Sequence, residues 1–278
     1  MVAEGKQTFR TKYFGDKAFY KMIMAIALPI VIQNLLTNFV AMLDNVMVGK
    51  IGTDQMTGVA IINQLFFVFN LAVFGGMSGA GIFSAQYFGQ NNHNGARNVF
   101  RMKLIIGIFI IAISMCVLII LHEPLINMFL HEGGASGNIH ATFKYARDYL
   151  YIMLFSIIPF VVANCYSTTL KEAGQTMVPM IAGLLAVIVD FVFNALLIFG
   201  LLGFPKLGVI GAAIATVMSR FVECGYLIIY TYRHSDKYRF IKGVYSNLHV
   251  PSSLVKKILL RGTPLLFNEL LWAAGITM

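Results

Sequence analysis

Six apolar runs, each twenty residues or longer, follow one another at 22–44, 57–80, 100–121, 147–169, 179–200 and 208–231, and a seventh opens near 259. A hydrocarbon layer about 30 Å thick takes about 20 residues of α-helix to cross. Inside that layer each peptide group must find its partner within the protein, which leaves helices and closed barrels as the possible spanning structures. A barrel is excluded here: the runs are about twice the length of a barrel strand and lack its polar–apolar alternation. The runs therefore predict an all-α integral membrane protein, a six-helix transmembrane bundle plus a partial seventh helix. Composition agrees, with 58% hydrophobic and only 12% charged residues, about half the charged share of soluble domains. Pro29 and Pro159 fall inside runs, as membrane helices tolerate when neighbours satisfy the freed carbonyls.

The basic residues set an orientation. Lys6, Arg10, Lys12, Lys17 and Lys21 precede span 1. Arg97, Arg101 and Lys103 are expected between spans 2 and 3, and Lys171 between spans 4 and 5. Arg233, Lys237, Arg239, Lys242, Lys256, Lys257 and Arg261 follow span 6. The other side has only Lys50, Lys144, Arg147 and Lys206, a ratio of sixteen to four, with Arg220 left inside span 6. The positive-inside rule then puts the N-terminus in the cytoplasm. The net charge of +9 is this asymmetry and not a nucleic-acid surface. The first twenty residues lack the apolar core and cleavage site of a signal peptide, so span 1 is read as a retained helix. Cys116, Cys165 and Cys224 all lie within spans and are expected to be small buried apolar residues.

One internal repeat is visible. "KMIMAIALPIVIQNLL" (Lys21 to Leu36) aligns without a gap with "KKILLRGTPLLFNELL" (Lys256 to Leu271), sharing the lysine, an isoleucine, the proline and the closing Leu-Leu. Six crossings separate the copies, so the second has the orientation of the first, a parallel repeat. The organisation expected is a cytoplasmic N-terminal segment (1–21), a six-helix N-lobe (22–231), a cytoplasmic inter-lobe linker (232–258) and the start of a second lobe (259–278) of a twelve-helix protein.

Polar residues inside the spans carry the chemistry. An aspartate at a helix centre costs about 2.5–3.5 kcal/mol to insert and needs a partner or a task. Asp44 closes a narrow stripe on span 1 with Asn34, Thr37, Asn38 and Asn45. Its position also fits a residue that reaches the interface or caps the next turn. Asp190 and Asn194, four apart on span 5, share one face amid apolar neighbours, and Thr216 lies in span 6. Two carboxylates with an amide and a hydroxyl are hard oxygen ligands, a set that suits Na⁺ or a shared proton.

"MLDNVMVGKIGTDQMTGVAI", "GAGIFSAQYFGQNNHNGARN" and "NALLIFGLLGFPKLGVIGAAIATVMSR" together resemble the multidrug and toxic compound extrusion (MATE) transporters, from about residue 20 onward. The resemblance implies twelve helices in two six-helix lobes, with a substrate cavity between or within them. It implies an exporter of small organic, cationic substrates driven by Na⁺ or H⁺, seated in the lipid bilayer of a bacterial plasma membrane as a multi-pass protein. It needs a C-terminal lobe for transport, and neither a cofactor nor any metal beyond Na⁺. The family's N-lobe cation site falls on Asp44, Asp190, Asn194, Thr216 and the carbonyl of Ala212. The span 5 pair, often Asn–Asn or Asn then Asp in the family, is here Asp then Asn. Glu269 matches a functional glutamate that the family often carries on helix 7. Asn34 and Asn38 are further substrate or coupling candidates.

A lipid-linked oligosaccharide or lipid flippase of the same superfamily is the alternative, although a basic central cavity would be expected of one. A membrane enzyme lacks a supporting motif, and a seven-span receptor needs its N-terminus outside. Among weaker signals, "GGMSGAG" (Gly75 to Gly81) sets small residues four apart, Gly75 with Gly79 and Gly76 with Ala80, for close helix packing. His122, His131 and His140 flank a glycine-rich outer loop, read as solvated rather than metal-binding. Asn63 and Asn70 share a face of span 2 and are expected to hydrogen-bond between helices.

Overall fold

A computed structural model describes residues 16–132, 138–247 and 249–277. Its regular structure is helical throughout. The α-helices are α1 (Lys17–Gly49), α2 (Thr53–Gly89), α3 (His93–Ile120), α4 (His122–Glu132), α5 (Ile139–Glu172), α6 (Met177–Phe199), α7 (Val209–Arg233) and α8 (Ser252–Thr277). Among the described residues six helices, α1, α2, α3, α5, α6 and α7, are long and apolar enough to cross a membrane. The protein is a multi-pass membrane protein.

The helices outrun the expected spans at most ends, because apolar runs mark the hydrocarbon-embedded part and helical hydrogen bonding continues beyond it. Side-chain caps fix several starts. Asp16 accepts from the Phe19 amide at 2.7 Å, Asn92 from the Gly95 amide at 2.9 Å, and Asn138 from the His140 and Ala141 amides. Gly200, with φ of 70°, closes α6 in the left-handed conformation that glycine adopts most freely. α8 begins seven residues before the expected 259, because the Pro251 carbonyl accepts from the amides of Leu254 and Val255. Two other expectations are corrected. The outer loop after span 3 contains α4, and Cys116 is exposed on the apolar outer surface, whereas Cys165 and Cys224 are buried.

α5 is the most buried spanning helix. It packs against α2, α3 and α7; α6 lies on α7, α1 on α6, and α8 on α2. The side-chain core around α5 includes Ile62, Leu150, Ile157 and Leu170, with Phe100 set edge-on to Tyr166 at 5.0 Å between ring centroids. The repeat's two prolines, Pro29 and Pro264, lie inside α1 and α8. The glycine motif on α2 sorts by face. A Cβ on Gly79 would collide with the backbone of Gly262 on α8, and one on Gly75 would press on Leu266 and Glu269, while Gly76 faces Ile106 and Ile110 of α3.

Arg97, Arg101 and Lys103 are not in a loop but on α3. Arg97 donates to the carbonyls of Arg239 and Phe240, and Arg101 to those of Gly243 and Val244, so one helix face grips the segment after α7. Phe240 and Ile241 are buried beneath it, and the hydroxyls of Tyr166 and Tyr245 meet at 2.8 Å. Lys103 is fully buried. Its ammonium donates to both Glu172 carboxylate oxygens at 2.7 Å and to the hydroxyls of Thr168 and Thr169 at 3.1 and 3.2 Å. Three residues from the last turns of α5 thus neutralise and solvate a lysine that charge counting treats as exposed.

Removing one partner of a buried ion pair leaves an uncompensated charge, at a cost of about 3–5 kcal/mol. Lys103→Met should therefore strongly lower the melting temperature in detergent. Adding Glu172→Leu should recover most of that loss, and a double variant as unstable as the single one would contradict the pairing.

Candidate cation site and cavity

α1 is attached to the bundle mainly along α6, and polar groups mark the contact. The Gln33 amide donates to the Pro179 carbonyl at 3.3 Å and rests on Gly183, where the missing side chain leaves it room. Three turns further along α1, Asp44 reaches α6 at Asn194. The Asn194 amide nitrogen donates to Asp44 Oδ1 at 2.7 Å and to Asp190 Oδ2 at 3.1 Å. The i, i+4 spacing on α6 puts Asp190 and Asn194 on one face, and both are buried, at 5% and 1% exposure. Two carboxylates from different helices therefore share one neutral donor.

That donor does not satisfy the cluster. Asp190 Oδ1 and Asn194 Oδ1 are buried with no hydrogen-bond partner. Buried acceptors of this kind carry a desolvation cost of about 1–3 kcal/mol each unless a donor or a cation meets them. α7 completes the surroundings. Thr216 donates to the Ala212 carbonyl at 3.1 Å, and Ser219 donates to the Thr216 carbonyl at 2.8 Å. The Thr216 hydroxyl oxygen keeps its lone pairs for a further partner, and turning that hydroxyl away would free the second lone pair of the Ala212 carbonyl. The oxygen donors gathered here fit a small hard cation or a proton, and no soft ligand lies among them.

A cavity of about 390 Å³ opens beside this cluster, lined in part by Asp44, Asn194, Ala212 and Thr216. Its other walls carry amides, including Asn38, Asn45, Asn63 and Asn70, and aromatic rings, including Phe66, Phe69, Tyr149 and Phe160. A second cavity of about 120 Å³ lies between α1, α6 and α7, bounded by Gln33, Asp190, Ser219 and Glu223. Thr37, Asp44, Thr216 and Arg220 line both.

Asp44, Asp190, Asn194, Thr216 and Ala212 thus come together from three helices. Asn38 joins the larger cavity. Asn34 is exposed and lines neither cavity, and Glu269 stands apart, on α8 against Gly75. Asn63 and Asn70 line the cavity, a different place from the helix–helix contact expected of them. Sequence reasoning passed over Tyr149, Gln33 and Ser219. Tyr149 sits in an aromatic-rich start of α5 where no period marks it, whereas Gln33 could have been found as a further polar residue in span 1. The His122 ring lies tilted against Tyr151 and His140 falls in the first turn of α5, while the His131 side chain and residues 133–137 lie outside the described residues. Among the described residues no cluster of three His, Cys, Asp or Glu side chains forms a metal site.

The MatE family profile matches residues 29–196, which include Asp44, Asp190 and Asn194. The chain belongs to the MatE family. It is 30% identical over 260 residues to a probable multidrug resistance protein NorM of Thermotoga maritima, covering 93% of this chain and 53% of that protein. It is 26% identical to a probable multidrug resistance protein YoeA of Bacillus subtilis, covering 94% of this chain and 55% of that one. The fold matches a solved outward-facing conformation of a multidrug resistance MATE family transporter of the MOP superfamily, with a TM-score of 0.72 and 22% identity over 90% of this chain and 52% of that structure. An inward-facing conformation matches with a TM-score of 0.70. The chain spans about half the length of the relatives it matches.

The shared amide should bear weight. Asn194→Leu removes the donor from both carboxylates and should cost more than about 2 kcal/mol in a detergent unfolding assay. Asn45→Leu, on the exposed side of the same region, should stay within about 0.5 kcal/mol of the parent. Equal, small effects from both would mean that the amide does not hold α1 to α6.

Proposed function

We propose that the chain is the six-helix N-lobe (22–231), inter-lobe linker (232–258) and second-lobe start (259–278) of an exporter that couples the inward movement of Na⁺ or H⁺ to the outward movement of small organic cations. The observation that carries this reading is the convergence of Asp44 and Asp190 on the one Asn194 amide, with two further acceptor oxygens left buried and bare. Such a cluster gains from a cation more than from any apolar neighbour. The coupling ion is a substrate here, held in passing by Asp44, Asp190, Asn194 and Thr216 with the Ala212 carbonyl at hand.

The adjoining cavity suits the second substrate. Rings such as Phe66, Phe69 and Phe160 offer faces to a flat or lipophilic cation, and the asparagines offer adaptable polar contacts. Asp44 lines this cavity and also belongs to the ion cluster, so the two substrates would compete for one carboxylate. That competition is a way to couple opposed movements, since occupancy by one disfavours the other. Among the described lining residues Arg220 is the one basic side chain, and Glu223 pairs with it at 3.1 Å, which does not favour a phosphate-bearing lipid substrate. The excess of basic residues at the α2–α3, α5–α6 and α7–α8 ends favours a cytoplasmic N-terminus in a bacterial plasma membrane.

Alternating access requires one lobe to move against another. In cells lacking their own drug pumps, the 278-residue chain alone should give no protection against a lipophilic cation, and a version extended by a second lobe should. In the extended protein Asp44→Asn should lower ion-driven efflux at least about tenfold, with membrane insertion unchanged because the substitution removes a buried charge. Normal efflux and ion dependence in that variant would reduce Asp44 to an interfacial residue.

A further inference from the structure

The sequence leaves one cation inside a span, and the structure gives it a place at the junction of the two cavities. Arg220 lies one turn beyond Thr216 on α7 and lines both the 390 Å³ and the 120 Å³ space. Its guanidinium donates to Glu223 Oε2 at 3.1 Å and lies 5.1 Å from the centre of the Phe160 ring. In the smaller cavity it shares walls with Asp44, Asp190 and Glu223. Both aspartates lie within its electrostatic range. Three carboxylates and one guanidinium thus line one small space.

We infer that Arg220 is a tethered counter-cation which exchanges between Glu223 and the Asp44–Asp190 pair, competing with the coupling ion for the same carboxylates. The inference rests on the cation-site reading above and adds a positioning residue to it. With a bound ion, one of the two aspartate charges is offset and Arg220 rests on Glu223 and the Phe160 face. When the ion leaves, the aspartates hold uncompensated charge, and the positive group that lines the same two cavities is the guanidinium. Glu223 is not abandoned by that move, because Lys171 at the end of α5 lies within its electrostatic range. The chain of Lys171, Glu223, Arg220 and the aspartates can shift its pairing by one place, so that the guanidinium takes over the one charge that the ion had offset. Arg suits this role better than Lys, since its fork can hold a carboxylate in two-point contact and its flat face can stack on a ring.

A competitor and its decoy act in opposite directions, which separates this role from a structural one. The probe is Na⁺ titrated against choline at constant ionic strength, read as thermal stabilisation of the whole 278-residue chain in detergent. Arg220→Gln should tighten apparent Na⁺ binding at least fivefold, since the internal rival is gone. Glu223→Gln should weaken it at least threefold, since the guanidinium loses its alternative partner. Arg220→Lys should lie between parent and Arg220→Gln. If both ends of the ion pair lower stability and leave Na⁺ affinity unchanged, Arg220 is a structural clip and the inference fails. It also fails if neither the parent nor Arg220→Gln responds to Na⁺. A Na⁺ response that survives Asp44→Asn and Asp190→Asn would instead overturn the location of the cation site itself.

Discussion

A charge buried in a membrane protein must be met, and the Asn194 amide between Asp44 and Asp190 is where this chain does so with least to spare. One nitrogen, at 2.7 and 3.1 Å from the two carboxylates, joins α1 to α6. α1 has few other means of attachment: its spanning stretch turns most of its apolar surface outward, and Val48, near its end, is its main entry into the hydrophobic core. Hydrocarbon offers little drive for apolar helices to pair, so hydrogen bonds and close packing decide which faces meet. The placement of the first helix therefore rests on the cluster together with the Gln33 bond and the Val48 anchor.

Two buried ionic clusters show contrasting designs. The Lys103 ammonium is enclosed by four oxygens from Thr168, Thr169 and Glu172 and has no vacancy for another partner. Asp190, beside the smaller cavity, and Asn194, beside the larger, each keep a bare buried oxygen. The closed cluster fixes α3 against α5. The open one keeps a binding capacity that packing does not use. The two clusters differ in whether the acceptors are all taken.

Much of the fold could be read from the chain because the membrane restricts what twenty apolar residues can do. All six spans have their counterparts in α1, α2, α3, α5, α6 and α7. Asp190 and Asn194 stood out because nothing polar surrounds them, and Asp44 because its stripe ends there. Other residues were hidden for physical reasons. Lys103 looks like a loop lysine until the helix start at His93 places it more than two turns in, beside the end of α5. Tyr149 gains its position from tertiary packing and carries no periodic mark. Asn63 and Asn70 share a face of α2, but only the arrangement of α1, α5 and α7 turns that face into a cavity wall. Glu269 resembles a functional residue by its surroundings in sequence, yet α8 lies on the α2 side, away from the cluster.

The crossing of α2 and α8 at Gly79 and Gly262 leaves backbone against backbone, with no side chain between. Most helix pairs interlock through ridges and grooves, and turning one against the other forces many rotamers to change. On one side of this crossing Ala80 and Phe83 of α2 pack with Leu254 and Ile258 of α8, and on the other Leu266 and Glu269 lie against Gly75. The glycines therefore set how near the two axes come, while the flanking side chains set their angle. A side chain at either glycine would wedge the pair apart and loosen both flanking contacts together.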